Sequence, residues 1–184
     1  MVQKVQDSKI QTTQSNGANQ NTQTNQTSQN VIEEISDVDA EKVQEKKEAE
    51  PTFSMPVDGE IIKEYAKDKL VYSDTLKEWI THSGIDIKAE KTTVVKASEA
   101  GTIKSIKNDP RYGLTVVIEH SAGYSTVYSN LLTAEFVVVG EKVEKGQTIG
   151  TVGNTATFEI ADEPHLHFEI LKDNVQIDPN MYIK

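Results

Sequence analysis

The sequence predicts an all-β domain over residues 53–184, a two-sheet antiparallel β-sandwich or open barrel, behind a disordered linker over residues 1–52. Two observations carry this prediction. The chain has 184 residues but only 36% hydrophobic ones, a low fraction for a fully folded chain, and the shortage is concentrated near the N-terminus. The remainder consists of short β-branched runs separated by glycines and polar turns, with little helical periodicity.

The predicted linker has a composition that cannot form a core. Residues 11–30 contain five Asn, six Gln and five Thr, with no charge and no large apolar side chain. Such a segment buries nothing that would offset the entropy cost of ordering its backbone. Residues 31–50 hold eight acidic residues against three Lys and could form a transient helix that Pro51 stops. We therefore expect residues 1–52 to be an Asn/Gln/Thr-rich and then acidic linker.

Charge excludes one large class of function. Residues 1–52 contain 5 basic and 9 acidic residues, and residues 53–184 contain 14 and 20. Neither part offers the basic stripe that a phosphate backbone requires, so nucleic-acid binding is not expected. No apolar run approaches the ~18 residues of a membrane span, and the start of the chain lacks a signal-peptide hydrophobic region. The sequence has no Cys, which excludes disulfides and zinc–thiolate sites.

Strand character recurs along the domain in eight runs. They are residues 60–65, 92–97, 101–106, 114–120, 124–131, 135–140, 147–153 and 165–170. The stretch DTLKEWI (74–80) predicts one short helix or a turn. Glycines within 140–153 separate the last runs, and we interpret them as sharp hairpin corners.

Two segments contain the residues that are capable of chemistry. In EPHLHFEI, strand alternation places His165, His167 and Glu169 on one face and three apolar residues on the other. In HSGIDIKA, the same alternation turns Asp86 away from the core, four residues after His82. We expect the polar face to border a groove.

Two imidazoles and one carboxylate form the ligand set of a catalytic zinc site. Zinc polarises a carbonyl, and a further His beside it can act as general base or stabilise an oxyanion. A single HxH or HxxxD motif is weak support, because a His on a strand is more often solvated or hydrogen-bonded than bound to metal. Together the two segments use three of the four His residues. The fourth, His120, ends a strand before the turn SAGY, and we assign it to that turn.

The domain resembles the LytM, or M23, family of zinc metallopeptidases, bacterial enzymes that cut peptide bridges of peptidoglycan. The resemblance covers almost the whole domain and implies the family fold, an antiparallel two-sheet structure of the duplicated hybrid motif type with a groove floored by one sheet. Matching blocks follow in family order, among them FSMPVDGEI (53–61), HSGIDIKA (82–89), VVKASEAGTIKSI (94–106), VGEKVEKGQTIGTVGNT (139–155), PHLHFEI (164–170) and IDPNMYI (177–183).

The resemblance also assigns roles to residues. It implies one Zn²⁺ held by His82, Asp86 and His167, with His165 as the catalytic His beside the metal. Active members have a further catalytic His in a Tyr-x-His-Leu motif, where this chain has Asn130. An Asn can donate a hydrogen bond to an oxyanion, but it cannot exchange protons near neutral pH, and such transfer contributes about 10²–10⁴ in rate. Asn130 is therefore a degenerate catalytic position, and the sequence leaves open whether the chain is an enzyme.

Asn130 and the polar linker together resemble the sporulation branch of the family, in its clostridial type. This resemblance implies an extracytoplasmic binding module on the outer surface of the forespore, in the intermembrane space, held by an N-terminal transmembrane helix outside the given residues. The implied roles are forespore engulfment and the channel complex between mother cell and forespore. The implied partner is a mother-cell protein like stage III sporulation protein AH, with peptidoglycan as a second candidate ligand. The alternative is an active zinc metalloendopeptidase that cleaves peptidoglycan peptide cross-links.

Overall fold

The computed structural model describes residues 49–184, so most of the predicted linker lies outside the described residues. All pairs among its strands are antiparallel, which confirms the predicted fold class. Twelve strands are formed: β1 Glu60–Lys63, β2 Ala66–Ser73, β3 Glu78–His82, β4 Ile85–Lys88, β5 Val94–Lys96, β6 Gly101–Asp109, β7 Gly113–Glu119, β8 Tyr124–Thr133, β9 Lys142–Val143, β10 Thr148–Val152, β11 His165–Lys172 and β12 Val175–Ile177. Three 3-10 turns, Ser121–Gly123, Thr157–Glu159 and Pro179–Met181, complete the described secondary structure.

Ten of these strands form one sheet with the order β1-β4-β11-β8-β7-β6-β9. β12 pairs with β11, and β5 is joined to the sheet through β10, which also pairs with β8. β2 and β3 form a separate two-stranded sheet. The central strand β11 buries Leu166, Phe168 and Ile170 on one face, where they join the hydrophobic core. Since side chains alternate along a strand, its other face is left to His165, His167 and Glu169.

Seven of the eight predicted runs contain strands. The prediction for residues 135–140 is wrong, because this segment forms turns. Val137 is buried in the core, whereas Phe136, Val138 and Val139 are exposed to solvent. Local bonds, such as Val137 N to the Ala134 carbonyl at 3.5 Å, replace a strand ladder there. An apolar run therefore reaches the surface, where β propensity alone does not make a strand.

The prediction of a helix or turn over residues 74–80 is right for 74–77, which form a turn, and wrong for 78–80, which belong to β3. Residues 74–77 form the turn of the β2–β3 hairpin, where Lys77 N donates to the Ser73 carbonyl at 2.8 Å. Strand β2 was not predicted, because its sequence AKDKLVYS has three consecutive charged residues and no apolar alternation. Tyr72 and Trp79 form an edge-to-face pair across the hairpin, with ring centroids 5.6 Å apart.

The two ends of the described segment meet at the core. Phe53, the first residue of the predicted domain, is fully buried and forms a parallel bridge with Ile183. Within residues 49–184 we find no helix with the length and apolar character to cross a membrane.

Candidate metal centre

Strand pairing brings the predicted ligands together. β4 and β11 pair with Asp86 opposite His167. His82 ends β3, and the chain then passes Gly84, where a Cβ would lie 2.3 Å from the carbonyl oxygen of Phe168. Only glycine allows this approach. The short turn between β3 and β4 therefore returns His82 to the same side of the sheet as Asp86.

The three predicted ligands form a tight buried group. His82 Nε2 lies 3.2 Å from both Asp86 Oδ1 and His167 Nδ1, and His167 Nδ1 lies 2.8 Å from Asp86 Oδ1. Each side chain is at most 1% exposed. The structure thus brings together His82, Asp86 and His167 as the sequence predicted.

The outer ring nitrogens of both histidines face acceptors. His82 Nδ1 lies 2.9 Å from the carbonyl oxygen of Glu64, and His167 Nε2 lies 3.2 Å from Glu169 Oε1. Such acceptors favour a proton on the outer nitrogen, as in metal-ligating histidines. The lone pairs of the two inner nitrogens and of Asp86 Oδ1 then converge, and they repel one another unless a cation lies between them.

Zinc fits this donor set. Four ligands at about 2.0–2.1 Å in a tetrahedron lie about 3.3 Å from one another, close to the separations above. Asp86 Oδ2 is also buried, and its one charged neighbour among the described residues is Lys63 Nζ at 3.2 Å, without hydrogen-bond geometry. A zinc ion held there would act as a Lewis acid toward a carbonyl group.

A fourth acidic residue, Glu159, was not predicted. Its carboxylate completes a group whose ligand atoms all lie within 4.8 Å of one another. It stands at the end of the 3-10 turn Thr157–Glu159 and is buried. In the sequence it is one of three acidic residues in TFEIADEP (157–164), and no pattern there separates it from Asp162 or Glu163.

Lys63 neutralises part of the negative charge. Its Nζ lies 2.5 Å from Asp162, 3.2 Å from Asp86 and 3.9 Å from Glu159. Burial disfavours the ammonium, but the three carboxylates outweigh burial and raise the pKa of Lys63. Three carboxylates against one ammonium leave two negative charges, which a divalent cation would balance.

Without metal, protons take the place of the cation. Burial alone would raise the pKa of Asp86, but its contacts with His167 and His82 hold that pKa well below its usual range. Burial likewise opposes protonation of His167, yet Asp86 and Glu169 raise the pKa of His167 well above its usual value. Metal and proton therefore compete for the same nitrogen.

His165, the predicted catalytic residue, lies beside the group. Its Nδ1 donates to the Glu163 carbonyl at 2.7 Å, and its Nε2 lies 3.3 Å from Glu159 Oε2. Burial opposes protonation of this ring, but the bond to Glu159 outweighs it and raises the pKa of His165. Asn130 Nδ2 lies 3.4 Å from His165 Nε2, so the degenerate catalytic position does border this histidine.

The amide of Asn130 is committed to the backbone. Its Oδ1 accepts hydrogen bonds from Thr155 N at 2.6 Å and Ala156 N at 2.9 Å, and its Nδ2 donates to the His165 carbonyl at 3.0 Å. The residue has φ 63°, a left-handed conformation that Asn tolerates better than most residues. Asn130 therefore fastens the segment that leads into the turn Thr157–Glu159.

The polar face of β11 is more deeply buried than expected. His165 and His167 are fully buried, and only Glu169 borders a groove of about 420 Å³, beside Ser83 and Tyr112. Tyr112 covers His167 by stacking, with ring centroids 4.3 Å apart and 12° between the planes. The expectation that both histidines face the groove is wrong, because an aromatic ring and the buried carboxylates cover them.

His120 takes no part in this group. Its Nδ1 bonds the Ala100 carbonyl and its Nε2 bonds Thr126 Oγ1, each at 2.8 Å. Its ring packs edge-to-face on Phe53, with centroids 5.4 Å apart. Burial lowers the pKa of His120. The residue stands directly before the 3-10 turn Ser121–Gly123, where the sequence assigned it.

Fold and site together define the class of the molecule, an antiparallel β domain with a buried His/Asp/Glu centre suited to a divalent metal. Residues 80–179 match the model of peptidase family M23, more than half of the chain, so the chain belongs to that family. This family is typically zinc-dependent.

Comparison with individual proteins shows several relatives. Stage II sporulation protein Q of Bacillus subtilis (strain 168) is 41% identical over 98 residues, which are 52% of this chain and 34% of that protein. The chain thus spans about a third of the length of this relative. A structure of the SpoIIQ–SpoIIIAH pore-forming complex matches with a TM-score of 0.64 and 28% identity over 74% of this chain and 93% of the other. A zinc-containing peptidase from Vibrio cholerae matches with a TM-score of 0.60 and 28% identity over 69% and 39%.

Proposed function

We propose that this chain is a zinc-binding sporulation protein whose M23 domain works as a binding module outside the cytoplasm. One Zn²⁺ is held by His82, Asp86 and His167, where it ties the end of β3 and strand β4 to β11. The module acts in forespore engulfment and in the channel complex between mother cell and forespore. Its place of action is the outer surface of the forespore, in the intermembrane space, with residues 1–52 as a linker.

The partner we propose is a mother-cell protein like stage III sporulation protein AH. Support comes from the relatives, since one is a stage II sporulation protein Q and a similar solved structure is a complex of SpoIIQ with SpoIIIAH. The net negative charge of the chain does not favour a nucleic acid as the partner.

One observation carries the choice of binding over catalysis. Asn130 occupies the position of a family catalytic His; its oxygen accepts from two backbone N–H groups, and its Nδ2 donates to the His165 carbonyl and lies 3.4 Å from His165 Nε2. A carboxamide does not act as an acid or base near neutral pH, and both N–H groups of this one already face acceptors on His165. General acid–base transfer contributes about 10²–10⁴ in rate, so its loss leaves at most very slow hydrolysis.

The alternative function is an active zinc metalloendopeptidase that cleaves peptidoglycan peptide cross-links. It is favoured by His165, which remains at the centre as a single candidate acid–base group, and by the groove that runs past Glu169 and Ser129. In that case His165 alone would exchange the proton of the reacting group, and the Glu159 carboxylate would have to move away from His165 Nε2.

Three measurements on the full chain test the proposal. Zinc content of the purified protein and of His82→Ala tests the centre, and equal content in both would refute these ligands. Calorimetric titration with the stage III sporulation protein AH of the same organism tests the partner, and we expect heat of binding that weakens in the zinc-depleted His82→Ala protein. Absence of binding by the zinc-loaded wild type would refute the partner.

Incubation with purified peptidoglycan separates the two functions. We expect no muropeptide release by wild type or by Asn130→His, because a His ring cannot replace three amide hydrogen bonds and leave the site intact. Release by wild type that disappears in His165→Ala would establish the endopeptidase.

A further inference from the structure

We propose that Glu159 is a fourth protein ligand of the metal and fills the coordination position that a hydrolytic zinc site leaves open. The proposal rests on the proposed zinc site and deepens it, since it states what kind of site this is. Catalytic zinc sites keep three protein ligands and one exchangeable position, whereas structural sites have four protein ligands. A Glu159 ligand therefore makes the centre a closed, structural one.

Glu159 Oε1 lies close to two of the proposed ligand nitrogens. It lies 3.7 Å from His82 Nε2 and 3.7 Å from His167 Nδ1. These separations approach the roughly 3.3 Å between ligands of one tetrahedral zinc ion. The oxygen is therefore equidistant from two ligand nitrogens, and it lies within 4.8 Å of the ligand oxygen of Asp86.

Glu159 Oε1 accepts no hydrogen bond from residues 49–184. The ring nitrogens of His82 and His167 are both more than 3.5 Å away, and Lys63 Nζ lies at 3.9 Å. The side chain is only 5% exposed. Lys63 does not need this oxygen, because it already contacts Asp162 at 2.5 Å and Asp86 at 3.2 Å. The nearest ammonium to this mostly buried oxygen, Lys63 Nζ, is thus only a distant ion-pair partner at 3.9 Å, and a metal ion bound beside the oxygen would stabilise its charge more directly.

Hydrogen bonds of the residues before and after Glu159 in the chain hold it in place. Before it, Asn130 Oδ1 accepts from the backbone of residues 155 and 156, and Phe158 N donates to the Arg111 carbonyl at 3.1 Å. After it, Ala161 N donates to Thr75 Oγ1 at 3.0 Å. These bonds fix the turn Thr157–Glu159 over the centre. Asn130 is thus a positioning residue for Glu159. The side chain at the replaced catalytic position therefore has a structural role in this domain.

The second oxygen of the Glu159 carboxylate contacts the ring of His165. Oε2 lies 3.3 Å from His165 Nε2, the atom that would otherwise face a substrate or a water molecule. One side chain thus covers both the open metal position and the remaining acid–base group.

Cobalt substitution tests the proposal without relying on activity. The full chain is loaded with Co²⁺, and its visible spectrum is recorded during titration with thiocyanate, an anion that enters an open position. We expect no spectral change for wild type and for Glu163→Ala, a control that removes a nearby exposed carboxylate paired with Lys88. We expect a saturable change for Glu159→Ala and for the isosteric Glu159→Gln, and zinc dissociation constants raised at least about tenfold in both.

The possible failures are distinguishable. A wild type that binds neither cobalt nor zinc would refute the proposed zinc site itself. A wild type that binds cobalt but changes its spectrum with thiocyanate would refute the role of Glu159 alone, and this result needs no variant. Glu159→Gln is included because it preserves side-chain volume if Glu159→Ala does not fold, and unchanged zinc affinity in a folded Glu159→Gln would also overturn the inference.

Discussion

Asn130→Ala is expected to destabilise the metal-free domain strongly. The substitution removes the acceptor of Thr155 N and Ala156 N and the donor to the His165 carbonyl, and Asn130 is fully buried. Each stranded backbone group costs about 1–3 kcal/mol, so the free energy of unfolding should fall by about 3–6 kcal/mol once the backbone has partly relaxed. The φ of 63° adds about 1–2 kcal/mol, because alanine disfavours the left-handed region.

The assay is urea unfolding followed by far-UV circular dichroism, with a chelator present so that metal loss does not contribute. Asn130→Gly separates the two terms, since it loses the same hydrogen bonds but accepts the positive φ. We expect glycine to be less destabilising than alanine by about 1 kcal/mol. A free energy of unfolding for Asn130→Ala within about 1 kcal/mol of wild type would refute the account of Asn130 as the fastening of residues 155 and 156.

Three further perturbations test other parts of the domain. Gly84→Ala should lower the free energy of unfolding by about 1–3 kcal/mol and reduce zinc content, because its Cβ would meet the Phe168 carbonyl at 2.3 Å. Tyr128→Phe should cost about 1–3 kcal/mol in urea unfolding, because Ser98 N loses the buried acceptor that it bonds at 2.8 Å. His120, whose pKa burial lowers, should take up a proton more readily unfolded than folded. Its contribution to stability should therefore be present above its unfolded pKa of about 6.5 and fall as the pH drops from there toward the folded pKa.

The control for Gly84→Ala is a second Gly→Ala variant, and the control for His120 is a difference between two proteins measured at the same pH. Gly140→Ala has open space around its added methyl and serves beside Gly84→Ala, although its positive φ makes it mildly unfavourable. The His120 effect is measured as wild type minus His120→Asn across pH, so that other titrating groups cancel. A difference that does not change between pH 7.5 and pH 5.5, roughly one unit on either side of the ordinary His pKa, would contradict it. Unchanged zinc content in Gly84→Ala would show that β3 and β4 tolerate a displaced turn.

The sequence predicted β11 and the strand character around Asp86 because their pattern is local, whereas β3, which carries His82, was expected to be a helix or a turn over residues 78–80. Leu166, Phe168 and Ile170 alternate with the polar residues of β11, and alternation directly reports which face is buried. Asp86 and His167 were also predicted together, although their pairing across β4 and β11 joins distant segments. That step depended on the combined His/Asp motif and on the resemblance to the M23 family.

Other features depended on contacts that no local pattern reports. Glu159 resembles any surface carboxylate in sequence, and only the packing of its turn against Arg111 and Asn130 buries it. The burial of His167 depends on the stacked ring of Tyr112, which approaches from the loop between β6 and β7. Strand β2 forms because it pairs with β3, and its charged sequence gives no alternation.

Because β4 pairs with β11, the candidate metal site needs a strand that is synthesised near the end of the chain. Asp86 and His167 are 81 positions apart, and the turn that carries Glu159 lies between them near the C-terminal end. A nascent or cleaved chain that ends before residue 159 holds two adjacent donors, His82 and Asp86, and cannot retain an ion with them. Uptake of the proposed zinc ion would therefore be a late step that requires β11 to have paired with β4, because contacts between such distant strands form only after a long loop has closed.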